Sequence, residues 1–128
     1  MIEHRTAKIF LDAEGIVWFR YKDEADITIE DSYDYVKIIN EIVDGKKRFF
    51  ILDARGAFVQ TTEEHRTFMG QNPEALKWRI ADAILVDVLP NRILSNFYKN
   101  KYSQNHPIKI FKDEESAKEW FKTIKFGL

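Results

Sequence analysis

A chain of 128 residues with 45% hydrophobic side chains has the material for one compact domain with a single core, and too much apolar content for disorder. Twenty basic against twenty-one acidic side chains leave a net charge of −1, which lacks the basic balance of a nucleic-acid binder. The absence of cysteine excludes disulfides and thiolate metal sites and fits a reducing compartment.

Met1 to Lys8 runs into a strand pattern without an apolar signal core. No apolar run approaches the ~20 residues of a membrane span, so a cytoplasmic protein is expected. Ala7–Leu11 and Ile16–Tyr21 are β-rich runs around Asp12-Ala-Glu-Gly15, which predicts a hairpin with Gly15 at positive φ. Trp18 and Phe19 point to opposite faces of that hairpin. A short extension, Asp26–Ile29, follows.

Asp31 or Ser32 is the expected N-cap of a helix in which Tyr35, Ile38, Ile39 and Ile42 form an apolar stripe ending at Asp44-Gly45. Beyond the basic turn Lys46–Arg48, the run Phe49–Leu52 predicts a central strand covered on both faces. Asp53 to Gln60 reads as loop. Thr61 and Glu64 have capping-box spacing before a helix carrying His65, Phe68 and Met69, which Gly70 can end. Asn72-Pro73 then restarts a short helical piece.

Ala83–Leu89 is the next predicted strand, broken by Pro90-Asn91. Leu94, Phe97 and Tyr98 mark a helix, and Ile108–Phe111 a strand. The last helix has Asp113 as cap and Ala117, Trp120, Phe121 and Ile124 on its stripe. The order β-β-α-β-α-β-α-β-α predicts one α/β domain over residues 1–128. Its sheet should be mixed and five-stranded, an N-terminal hairpin followed by βα units with right-handed crossovers.

Several of these residues carry a family pattern. They are Ile51-Leu-Asp-Ala-Arg55 with Thr61-Thr-Glu-Glu-His-Arg66 downstream, Ala83-Ile-Leu-Val86, Asn91-Arg92 with Asn96-Phe97, and the terminal Phe111-x-Asp-Glu-x-x-Ala-x-x-Trp120. Together they resemble the SpoIIAA-like, or STAS-like, family of small bacterial proteins across nearly the whole chain. The resemblance implies a SpoIIAA-like β/α layer fold with no catalytic activity. Its favoured implication is a cytoplasmic regulatory or protein-interaction module with an unidentified protein partner. The alternative is a carrier or sensor of a small apolar ligand or lipid, peripheral to a membrane. Phosphorylatable relatives carry Asp-Ser-Ser-Gly after the central strand; here Asp53-Ala-Arg-Gly56 has no serine, so that phospho-switch is not expected.

Asp53 and Arg55 lie at the carboxyl end of the central strand, where open α/β sheets place ligands. With Thr61 and Thr62 they are the expected partner- or ligand-binding residues, against a local ion pair and a helix cap as the structural alternatives. Arg92, Asn96, Phe97, Tyr98 and Lys99 form the alternative surface for an apolar ligand or a membrane; the competing reading puts Leu94, Phe97 and Tyr98 in the core. Trp120 is expected in the core and Trp78 partly exposed. His4, His65 and His106 show no ligand spacing, and no nucleophile or phosphate-loop motif occurs, so neither metal, cofactor nor catalysis is expected. The unpaired edge of the opening hairpin offers a route to a homodimer.

Overall fold

Two faces of one sheet are set by the alternation of side chains along its strands. In the computed structural model, which describes residues 1–124, β1 (Ile2–Glu3), β2 (Ala7–Leu11) and β3 (Val17–Tyr21) form an antiparallel meander. Its β2–β3 turn closes as expected. Gly15 takes φ +81°, and the Asp12 carboxylate accepts the backbone N–H groups of Glu14 and Ile16. Val17 and Phe19 bury on one face, Trp18 on the other. Next come β4 (Ala25–Ile27), α1 (Ile29–Ile42), β5 (Arg48–Asp53), β6 (Val59–Thr61), α2 (Glu63–Gln71) and α3 (Pro73–Leu76). The chain continues through β7 (Arg79–Leu85), α4 (Leu89–Tyr102), β8 (Ile108–Phe111) and α5 (Glu114–Phe121).

The main sheet is mixed, in the order β1-β2-β3-β5-β7-β8, with β3, β5, β7 and β8 parallel. It has six strands rather than the expected five, because Ile2 and Glu3 fold back to pair with Ile9 and Lys8. That pairing also covers part of the hairpin edge proposed for dimerisation. A separate two-stranded ribbon joins β4 to β6, so the Asp26–Ile29 extension and the end of the predicted loop pair with each other.

The parallel strands step in one direction across the sheet. Their connecting helices α1, α2 and α4 therefore pack on one face, as same-handed crossovers require. α5 covers the other face, where Ala117 and Phe121 meet Trp18, Ile51, Ala83 and Leu85. Trp120 is half-buried against Phe111 rather than enclosed. Trp78 is half-buried too, and its indole N–H donates to Asn40.

Three element starts differ from expectation, each because a polar residue has a tertiary partner. Helix α1 is capped by Thr28, not by Asp31 or Ser32. The Asp31 carboxylate receives the Thr28 N–H and an Arg5 guanidinium, while Ser32 turns inward to His65. Helix α2 is capped by Thr62, whose hydroxyl accepts the His65 N–H; Thr61 instead receives Arg66. Strand β7 starts at Arg79, before the apolar run, and ends at Leu85, so that Leu89 already belongs to α4.

Candidate functional site

The helix-covered face does not close completely. Between it and α1, α2 and α4 lies a partly open cavity of about 110 Å³. Its floor is Phe19 and Tyr21 of β3, Phe50 and Leu52 of β5, and Ile84 of β7, most of them toward the carboxyl ends of their strands. Tyr35 and Ile39 form the α1 wall and Met69 the α2 wall. Leu94, Ser95 and Tyr98 close it from α4, with Val59 and Thr61 of β6 at the half-exposed rim. Ligand sites in open α/β sheets fall at this end of the strands. A cavity near 150 Å³ holds a benzene ring, so this one is of single-ring size.

Two features keep the walls in place. The Asn91 amide donates to the Ala57 carbonyl at 2.7 Å and accepts the Val59 N–H at 3.3 Å, fastening the β5–β6 loop to α4. The second feature is a buried ionic network. Arg79 donates to both oxygens of Asp82 and to the carbonyls of Met69 and Ala75, tying β7 to α2 and α3. His106 reaches the same Asp82 carboxylate at 2.9 Å from the loop before β8. Burial by itself would raise the Asp82 carboxyl; the neighbouring Arg79 and the His106 hydrogen bond outweigh it and hold it well below its ordinary range.

Several polar atoms on the cavity wall are less fully engaged. His65 is 6% exposed, and its Nδ1 meets the buried Ser32 hydroxyl. That imidazole nitrogen is the only partner the hydroxyl has among the described residues; the tautomer that uses the Ser32 proton in this contact carries its own proton on Nε2. Nε2 has no partner among the described residues. Burial pushes the ring down to about 4, so it is neutral at neutral pH. The Tyr21 hydroxyl also lacks a hydrogen-bond partner among the described residues, and burial raises its pKa well above the ordinary tyrosine value. Arg66 uses Nη1 on the Thr61 carbonyl and hydroxyl and pairs with no carboxylate among the described residues. Tyr35 is anchored from behind, its hydroxyl bonded to Thr6, which His4 contacts in turn.

Of the expected binding residues, Asp53 and Arg55 are engaged with each other, while Thr61 and Thr62 serve the start of α2. Arg55 Nε and Nη2 donate to the two oxygens of Asp53 at 2.9 and 3.0 Å, and Arg20 approaches the same carboxylate at 3.7 Å. Thr62 caps α2, and Thr61 stands at the cavity rim holding Arg66. The alternative set divides across α4. Tyr98 points into the cavity, Lys99 is half-buried, and Arg92, Asn96 and Phe97 face outward. Phe97 is 60% exposed rather than core, and with Leu89 at 68% and Ile93 at 62% it makes an i, i+4, i+8 apolar stripe on the outer face.

His65 and Arg66 were not legible as cavity residues, because neither has metal-ligand spacing and the cavity they line exists only in the folded packing. Their one visible signal was a basic pair just inside a helix cap. Nor was it legible that His4 comes together with Asp31 and Asp34, the one group with metal-ligand residue types among the described residues. There Asp31 already holds Arg5 and the Thr28 N–H, and His4 Nε2 lies 3.0 Å from Asp34. No helix among the described residues is long and apolar enough to cross a membrane.

No curated protein and no solved structure matches the chain significantly. Residues 9–125, nearly the whole chain, match the model of a family described as a domain of unknown function, DUF7793, and the protein belongs to that family.

Proposed function

We propose that the protein is a non-catalytic holder of a small apolar molecule, acting as a carrier or sensor, within a SpoIIAA-like (STAS-like) layer fold. The observation that carries this reading is the cavity: aromatic and aliphatic walls, a half-open rim, and a few polar atoms without protein partners. That combination, apolar lining with a small number of placed polar groups, is the usual make-up of a small-molecule site. A purely structural face of this sheet would fill the space, since protein interiors pack to the density of organic crystals.

Native mass spectrometry of the protein from its own cells, before and after denaturation, tests the reading. It predicts an added small mass that leaves on denaturation, or uptake of toluene by the bare protein. A bare mass together with no uptake of toluene contradicts it.

A second reading, a regulatory protein-interaction module, is favoured by the outward stripe of Leu89, Ile93 and Phe97. Helix α4 carries both surfaces, cavity wall inside and apolar stripe outside, so the two roles are compatible. If Phe97→Ser and Ile93→Ser left every captured protein partner bound, this reading would fall.

A further inference from the structure

We propose that the molecule held in the cavity is a small carboxylic acid with an aromatic or branched apolar body, its carboxylate met by Arg66. The inference rests on the ligand-pocket reading above and adds the chemistry of the head group.

The sign of the lining makes the case. No aspartate or glutamate lines the cavity, whereas two arginines do. Arg79 is cancelled by Asp82, whose carboxylate it grips with two hydrogen bonds. Arg66 is not cancelled by any carboxylate among the described residues: its hydrogen bonds run from one terminal nitrogen to the carbonyl and hydroxyl of Thr61, both neutral. Glu63 and Glu64 are exposed, and neither forms an ion pair with it. The guanidinium is therefore held at the half-open rim by Thr61 with N–H groups to offer, in the fork geometry that suits a carboxylate.

The direction of the remaining hydrogen bonds agrees. His65 presents Nε2–H in the tautomer in which Ser32 donates to Nδ1. Tyr21 presents a phenol O–H. The carbonyl-type acceptors nearby are occupied, Thr61 by Arg66 and the Asn91 carbonyl by Val59, which leaves the Ser95 and Tyr21 hydroxyls, able to donate as well as accept. A wall rich in donors and poor in open acceptors complements a head group that only accepts. It disfavours an amine, whose charge would meet Arg66 with no carboxylate in the lining to offset it. The body is bounded by the volume of about 110 Å³, the scale of one ring or a short branched chain.

The experiment is isothermal titration calorimetry of the full chain with three probes of one size, benzoate, benzyl alcohol and benzylamine. Arg66→Gln, Arg66→Lys and the outer-face control Arg92→Gln are titrated alongside, each checked for native circular dichroism. Wild type should bind benzoate roughly tenfold more tightly than benzyl alcohol, with benzylamine weakest, the scale of one charge-assisted contact. Arg66→Gln should abolish that preference while leaving benzyl alcohol unchanged, Arg66→Lys should recover part of it, and Arg92→Gln should change neither. Equal binding of acid and alcohol, or acid binding indifferent to Arg66→Gln, overturns the head-group assignment and leaves the apolar pocket standing. Tighter binding of benzylamine overturns it as well. Binding of none of the three overturns the pocket reading and this inference together.

Discussion

Arg79 grips Asp82 on the same face of one strand, although residues three apart in a regular strand point to opposite faces. A bulge resolves the conflict. Arg48 of β5 pairs with Arg79, but Phe49 pairs with Ala81, so Ile80 is an extra residue that shifts the phase of β7. Asp82 and Ile84 then face the helices, while Ala81, Ala83 and Leu85 face α5. The bulge thus lets a buried ion pair lock α2 and α3 to the sheet beneath the cavity.

Removing one partner of that pair should be costly. Asp82→Ala leaves the Arg79 guanidinium buried without a counter-charge, an expected loss of about 3–5 kcal/mol in urea denaturation. The double variant Arg79→Met with Asp82→Leu should lose much less, because desolvation of both charges is relieved at once. A double variant as unstable as the single would show that the carbonyl contacts of Arg79, not its charge pairing, hold this corner.

Gly70 lets α2 pack close against the Tyr102 ring of α4. A methyl group there would overlap the Tyr102 ring, whose hydroxyl is also tied to Thr67. Gly70→Ala should therefore destabilise by roughly 1–3 kcal/mol despite its better helix propensity. Thermal unfolding of Gly70→Ala with and without Tyr102→Leu separates the clash from the backbone effect, since the smaller side chain should restore most of the loss.

Stability should fall in mild acid through His65. Its folded pKa, lowered by burial from 6.5 to about 4, lies below the unfolded one, so the unfolded chain takes up the proton first. The contribution is complete above about 6.5 and lost as pH drops through about 4, with a total near 3 kcal/mol by linkage. Denaturation curves at pH 7, 5.5 and 4 check this, and in His65→Gln the decline across that window should flatten.

The outer stripe of α4 should be dispensable for folding. Phe97→Ser exposes no core and is expected to change stability by no more than about 0.5 kcal/mol. Tyr98→Ala, one residue on and buried, should cost roughly 3 kcal/mol in the same assay. A large loss at Phe97 would mean that the stripe is covered in solution.

Periodic apolar patterns carried most of the architecture. The stripe of Tyr35 and Ile39 placed α1, the cap at Asp113 placed α5, and Gly15 placed the hairpin turn. The first half of β7 was hidden because Arg79 and Asp82 read as solvated charges, and only a tertiary partner makes them core. Phe97 was read either as outer surface or, with Leu94 and Tyr98, as core; adjacent helical positions diverge, and packing against β8 chose Tyr98. The cavity was illegible in principle. It is space left between three helices and a sheet, and no single residue encodes space. Asp53 and Arg55 were legible as a pair, and the structure shows them engaged with each other.

A ¹H–¹⁵N and methyl NMR titration of the protein with toluene tests the central claim most directly. The account predicts saturable shifts centred on Ile39, His65, Met69, Leu94 and Tyr98, the residues that line the cavity. Shifts confined to Leu89, Ile93 and Phe97, or none at all, would contradict it and leave the outer face of α4 as the working surface.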